Sequence, residues 1–238
     1  MKIIRNLIFL TPLLFVMGCY WEMPEKITGN GDVITEERQV SNFDGIKVSC
    51  GIDVYITQGD REYLEVQADE NLLDIIKTEV ENNMLKVYTD KNISVAKSKK
   101  VYLTYVNLNK IVISSAGDVK AENTLNTNKL DIRLSSAGDL KLDVEADEIY
   151  INVSSSGNAN LSGKINYLKV DLSSAGDLNA FDLEAKVGDI NVSSAGDAKV
   201  FITEEASFSS SSAGDIIYKG DPNIKHVSTS SAGSIKKK

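Results

Sequence analysis

The 238-residue chain carries 34 acidic against 26 basic side chains and one histidine, a formal net charge of −8 at pH 7. Such an excess of carboxylates is a poor match for phosphate-rich nucleic acid, and it opposes lying flat on an anionic bilayer. With two cysteines, Cys19 and Cys50, and the single His226, the chain offers neither a disulfide-rich scaffold nor the usual ligand set of a zinc site.

Residues 1–18 read as an export signal. Lys2 and Arg5 give a basic start and residues 7–17 are mostly apolar, a run shorter than the ~20 residues of a membrane span. Val16-Met17-Gly18-Cys19 places a small residue directly before cysteine. The segment resembles a bacterial lipoprotein signal, which implies that Cys19 becomes the lipidated first residue after cleavage. Loss of Lys2 and Arg5 leaves 24 bases against 34 acids, a net charge of −10, so the lipid and not surface charge would hold the protein on a membrane. Residues 19–31, with Pro24 and Gly29, form the lipidated cysteine and a tether. Cys50 then stands alone in the mature chain, and no internal disulfide is available.

Residues 32–238 are expected to form one all-β unit. Ile46-Lys47-Val48-Ser49-Cys50-Gly51-Ile52-Asp53-Val54-Tyr55-Ile56 alternates apolar with polar residues, the period of a strand. Further alternation at 64–68, 85–88 and 101–106 is irregularly spaced, and Asn71-Leu72-Leu73-Asp74-Ile75-Ile76 is open to a helical turn or an irregular corner. This half is expected to elaborate and cap the regular repeats on its C-terminal side.

From about residue 110, Ser-Ser-Ala-Gly-Asp or a near relative recurs seven times, with glycines at 117, 138, 157, 176, 196, 214 and 233. Spacings of 18 to 21 residues between them mark a solenoid in which each repeat stacks on the next. Leu130, Ile132 and Leu134 lead into one corner; Leu140, Leu142 and Val144 lead out, and Ile149, Ile151 and Val153 approach the next. Corresponding positions repeat in residue type, which suits parallel coils rising about 4.8 Å each better than hairpins, whose tips favour Asn-Gly or Asp-Gly. One coil cannot fold alone: burying an apolar side chain stabilises by about 1.5–3 kcal/mol, while ordering each residue costs about 1–2 kcal/mol.

Each repeat is thus expected to run strand, sharp corner, strand and a looser polar return such as Glu145-Ala146-Asp147-Glu148. Glycine would supply the positive φ and aspartate would bond the turn's own amides. Parity carries Ser115, Ser136, Ser155, Ser174, Ser194, Ser212 and Ser231 inward, as a structural column rather than reactive hydroxyls. In the first half Cys50 falls where these serines stand and Asp53 where the corner acids stand, so Cys50 is expected to pack as a small apolar residue.

Gly51-Ile52-Asp53, Ala68-Asp69-Glu70-Asn71-Leu72 and the serial corners together resemble the auto-transporter adhesin "head GIN domain" family over roughly residues 32–234. Asp53 replaces the third residue of the eponymous Gly-Ile-Asn. The resemblance implies a right-handed parallel β-helix, export or lipid anchoring of the kind found in Bacteroidetes-type bacteria, and an adhesion or envelope role. It brings no catalytic residues.

The corner acids Asp118, Asp139, Asp177, Asp197 and Asp215, interrupted by Asn158 and ended by Ser234, would form a column along one edge. At about 5 Å apart, neighbours repel by ~0.8 kcal/mol in water-like dielectric, tolerable without an ion. Two readings remain: solvated turn aspartates with no cofactor, or a ligand- or calcium-facing column, although the Gly-Gly-x-Gly-x-Asp calcium repeat is absent. Nothing in the spacing supports a Ser-His-Asp triad on His226. The leading expectation is a noncatalytic, lipid-anchored envelope protein, outer-membrane held and facing either the periplasm or the surface, that binds a glycan or protein partner. The alternative is a β-helix carbohydrate-active enzyme, a polysaccharide lyase or hydrolase, disfavoured because short, uniform coils leave little wall for a cleft. End-to-end association is opposed by Lys236, Lys237 and Lys238, and the oligomeric state is not legible.

Overall fold

A computed structural model describes residues 26–238; the export signal, Cys19 and the start of the tether lie outside the described residues. The first half contains β1 (Lys26–Thr28), β2 (Val33–Arg38), β3 (Gly45–Val48), β4 (Asp53–Gln58) and β5 (Tyr63–Asp69), then a 3-10 turn at Glu70–Leu72. It continues with β6 (Ile76–Glu81), β7 (Met84–Thr89), β8 (Asn92–Val95) and β9 (Lys99–Tyr105). The repeat half holds β10 (Lys110–Ile113), β11 (Asp118–Ala121), β12 (Leu125–Leu134), β13 (Asp139–Val153), β14 (Asn158–Leu172) and β15 (Asp177–Val192). It ends with β16 (Asp197–Ser210), β17 (Asp215–Lys219), β18 (Asn223–Thr229) and β19 (Ser234–Lys237).

From β10 onward each coil pairs in parallel with the next, so that Asp139 stands beside Asn158 and Ile151 beside Val170. Stacked coils of about 19 residues form a β-solenoid of about seven turns. The alternation dictates its core. Leu85, Ile46, Ile111, Ile132, Ile151, Val170, Ile190 and Phe208 lie in one column across successive layers, each buried. In the four middle coils the expected loose return is instead continuous strand, while 122–124 and 220–222 stay outside strands: β13 runs through Glu145, Ala146 and Glu148, which pair with Lys164, Ile165 and Tyr167. Pairing there satisfies the backbone N–H and C=O groups that a loop would leave to water.

Stacking order departs from chain order in the first half. Strand β3 lies between β7 and β10, and β4 between β9 and β11, so the layer of residues 84–105 stacks outside the earlier layer. Beyond it, β6 runs antiparallel to β7, β5 antiparallel to β9, and β2 antiparallel to β5. The sequence 71–76 resolves into the end of the 3-10 turn and the start of β6, with Leu72, Leu73, Ile75 and Ile76 buried beneath it. Arg38 fixes this end by donating to the carbonyls of Leu73 at 2.8 Å and Ile76 at 2.6 Å. Antiparallel strands thus cover an end where a parallel stack would leave unpaired ladder groups.

The corners reverse two expectations. Positive φ belongs to the two residues before each glycine, as in Ser136 (54°) and Ala137 (62°), and none of the seven repeat glycines has it. Where Gly176 and Gly214 donate to the carbonyls of Ser173 and Ser211, at 3.3 and 3.0 Å, the corner closes as a type I′ turn, whose central residues are both left-handed. Two left-handed residues turn the backbone out of strand parity, so all seven predicted inward serines are exposed. Buried Ser210 lies in the preceding strand and donates to the carbonyl of Gly214 at 2.5 Å. Glycine is required for closeness: a Cβ on Gly176 would stand 2.8 Å from Val153 Cγ1 of the coil below. Corners then stack through their backbones, the amide of Ala137 donating to Ser155 and that of Ala175 to Ser194, at 3.2 and 3.0 Å.

Candidate binding face

The strands leaving the corners make one long face. Its first row is the predicted column, and the register aligns it: Asp53 pairs with Asp118, Asp118 with Asp139, Asn158 with Asp139 and Asp177, and Asp197 with Asp177 and Asp215. The carboxylates do not bond their own turns as expected. Asn158 Nδ2 donates to Asp139 Oδ1 at 2.7 Å and Ser234 Oγ to Asp215 Oδ1 at 2.5 Å, each across to the next coil. Partial burial, followed by Asp139 and Asp53, raises the Asp118 carboxyl above its ordinary range. Burial, then Asp177 and Asp215, does the same to Asp197 against the opposing pull of Lys199.

A second row escaped the sequence reading. Two residues beyond the position that the column occupies in each coil, which Lys100 takes in the outermost layer and Asn158 in the middle of the repeats, Tyr102, Tyr55, Lys120, Lys141, Asn160, Asn179 and Lys199 stand side by side. Its signal was the same 19-residue period shifted by two. Between Asp118–Asp197 on one wall and Lys120–Lys199 on the other lies a groove of about 530 Å³, floored by Val119, Leu140, Ala159 and Leu178. At one end Tyr55 and Tyr102 stack with ring centroids 5.2 Å apart and planes at 18°. Lys100 and Lys120 place their ammonium groups 5.8 and 5.6 Å from the Tyr55 centroid, within cation–π reach.

Cys50 is exposed, contrary to expectation, because it occupies the left-handed corner position (φ 64°) that turns the serines outward. His226 lies exposed on β18, paired with Ser207. Among the described residues, no group of three or more His, Cys, Asp or Glu side chains is poised to hold a metal ion, and no helix is long and apolar enough to cross a membrane.

Fold and face together define a parallel β-solenoid with a ridged polar surface. The chain belongs to the family described as "Putative auto-transporter adhesin, head GIN domain", whose model matches residues 42–222. The structure is similar to that of a putative adhesin from Bacteroides fragilis NCTC 9343, with 26% identity, a TM-score of 0.84, and coverage of 89% of this chain and 100% of the other. A putative lipid binding protein from Parabacteroides distasonis ATCC 8503 gives 25% identity and a TM-score of 0.75 over 90% of this chain and 100% of its own. A putative adhesin from Parabacteroides merdae ATCC 43184 shares the fold at 18% identity, with a TM-score of 0.73 over 90% and 99% of the two chains. No curated protein matches.

Proposed function

We propose that this protein is a lipid-anchored, noncatalytic adhesin of the cell envelope, held in the outer membrane through Cys19 and presenting the ridged face to a glycan or protein partner. The observation that carries the reading is the asymmetry of the groove: carboxylates, interrupted by Asn158, line one wall, and ammonium and amide groups the other. Most glycoside hydrolases flank the scissile bond with a pair of carboxylates, whereas here the acids stand in file on one wall. Membership in the adhesin family supports the envelope location and the binding role.

The test uses the full chain in intact cells. Labelled palmitate is expected to mark the wild type and leave Cys19→Ala unmarked, and externally added protease is expected to degrade the anchored protein. Protein on cells is then offered to immobilised matrix proteins and glycans. Absence of the lipid label removes the anchor; turnover of a glycan without stable binding removes the noncatalytic reading.

A further inference from the structure

We infer that the groove between the two rows takes one extended chain of a neutral, hydroxyl-rich glycan lying along the solenoid axis, with a sugar ring on the Tyr55–Tyr102 stack beyond its end. The inference rests on the binding role proposed above and names its ligand class.

Length comes first. The lining residues belong to five successive coils, from Asp118 and Lys120 to Asp197 and Lys199, and four rises of about 4.8 Å give a groove about 19 Å long. A compact metabolite would occupy a fraction of it. A linear polymer would meet the same pair of walls at every coil.

Charge and hydrogen bonding select the polymer. Four carboxylates on one wall face three ammonium groups on the other, Asp118, Asp139, Asp177 and Asp197 against Lys120, Lys141 and Lys199. A polyanion meets the aspartates and a polycation meets the lysines, so a neutral chain escapes both repulsions. The carboxylates only accept and the ammonium groups only donate, while a hydroxyl does both and can bridge from wall to wall. The middle coil of the groove is uncharged, with Asn158 on one wall and Asn160 on the other, and Asn179 Nδ2 of the next coil reaches Asn160 Oδ1 at 3.3 Å.

Spacing argues the same way. An extended peptide advances about 3.3 Å per residue, so its like-facing groups run out of phase with a coil rise of about 4.8 Å. A pyranose ring spans close to one rise and keeps step. The tyrosine pair continues the lysine–asparagine row in the same line, and Tyr102 is 37% exposed. A stacked aromatic pair presents a rigid apolar body with a polar tip at little entropic cost, which suits the apolar face of a sugar ring.

The test is native affinity electrophoresis of the detergent-solubilised full chain through gels holding linear β-glucan, xylan, mannan or galactan, with polygalacturonate and chitosan as charged comparisons. Retardation by at least one neutral polysaccharide is expected. The double variant Asn160→Ala/Asn179→Ala should weaken it at least tenfold and Tyr55→Ala several-fold, with melting temperatures kept within a few degrees. No retardation by any neutral polysaccharide, retardation by a charged one alone, or binding unchanged in the asparagine variant would overturn the inference. A protein that fails here yet still attaches to immobilised matrix proteins loses this ligand and keeps its adhesin role.

Discussion

Gly138 lies directly against Ile113 of the coil below: a Cβ added to the glycine would stand 2.7 Å from the isoleucine Cγ2. Its neighbour Ala137 carries the positive φ, 62°. The two positions therefore respond oppositely to exchange of alanine and glycine. Gly138→Ala forces a methyl into a packed layer and is expected to cost about 1–3 kcal/mol. Ala137→Gly relieves a left-handed alanine while freeing the unfolded chain, and is expected to lie between neutral and about 1 kcal/mol stabilising. Urea melts of the two variants check this; a costly Ala137→Gly beside a neutral Gly138→Ala would return the turn to the glycine.

Much of the architecture could be read from residue order alone, because a solenoid repeats its contacts at a fixed interval. The inward assignments of Leu130, Ile132, Leu134, Ile149, Ile151 and Val153 hold, each being buried. Parity failed where backbone handedness changes: Ser136 is two residues beyond Leu134, but it is left-handed, and side-chain alternation does not survive such a residue. The layer order of the first half was also hidden. Ile46 meets both Leu85 and Ile111, and no local pattern tells a strand which distant partners will flank it. The acid column was legible from its recurring motif, whereas Lys120, Lys141, Asn160 and Asn179 vary in type and show their relation only once the coils are laid in register.

Asp69 is a buried carboxylate, 1% exposed, that ties the covered end of the stack together. It accepts from the amides of Gly31, Lys97 and Ser98 at 3.0 Å each. Burial pushes its carboxyl up, but those amides and the charge of Lys97 outweigh it and hold the group below its ordinary range. A carboxylate with a depressed folded pKa binds protons more readily when unfolded, so its contribution is complete above the unfolded value of 3.8 and is lost as pH falls through the lower folded value. Asp69→Asn keeps one acceptor oxygen and leaves part of the amide set unpaired; a loss of about 1–3 kcal/mol at pH 7 is expected. The gap to wild type should narrow at the acid end of a pH series of thermal melts, and a constant gap would count against an ionised Asp69.

The acid column has the opposite sign. Asp118 and Asp197 are raised above 3.8, by burial first and by neighbouring column acids second, so the folded protein holds their protons more tightly than the unfolded chain. Their charged forms weaken the fold as pH rises through the elevated folded value, and the penalty disappears as pH falls toward the unfolded one. Asp118→Asn and Asp197→Asn are each expected to stabilise at pH 7 by up to about 1 kcal/mol. The gain should shrink at pH 4 and in molar salt, where the Debye length is about 3 Å. Melting curves at both pH values measure it, and destabilisation by either substitution would mean that favourable partners such as Lys199 beside Asp197 outweigh burial and the neighbouring acids.

Cys50 is exposed on the first corner beside a depression of about 300 Å³ lined by Lys47, Glu79, Lys86 and Tyr88. Partial burial pushes its thiol up, yet hydrogen bonding with the Thr89 backbone and Ser49, together with the charge of Lys99, brings it below its ordinary value. Thiolate is the reactive form, so the folded protein should react with a disulfide reagent such as 5,5′-dithiobis(2-nitrobenzoate) without denaturant, at one thiol per lipidated chain. The rate should rise with pH through a midpoint below that of free cysteine, and should fall in Lys99→Ala as the favourable charge is lost. Cys50→Ser should not react and should melt within about 0.5 kcal/mol of wild type, since an exposed corner position tolerates serine in the other seven coils. A thiol that reacts only after unfolding would place Cys50 in the core.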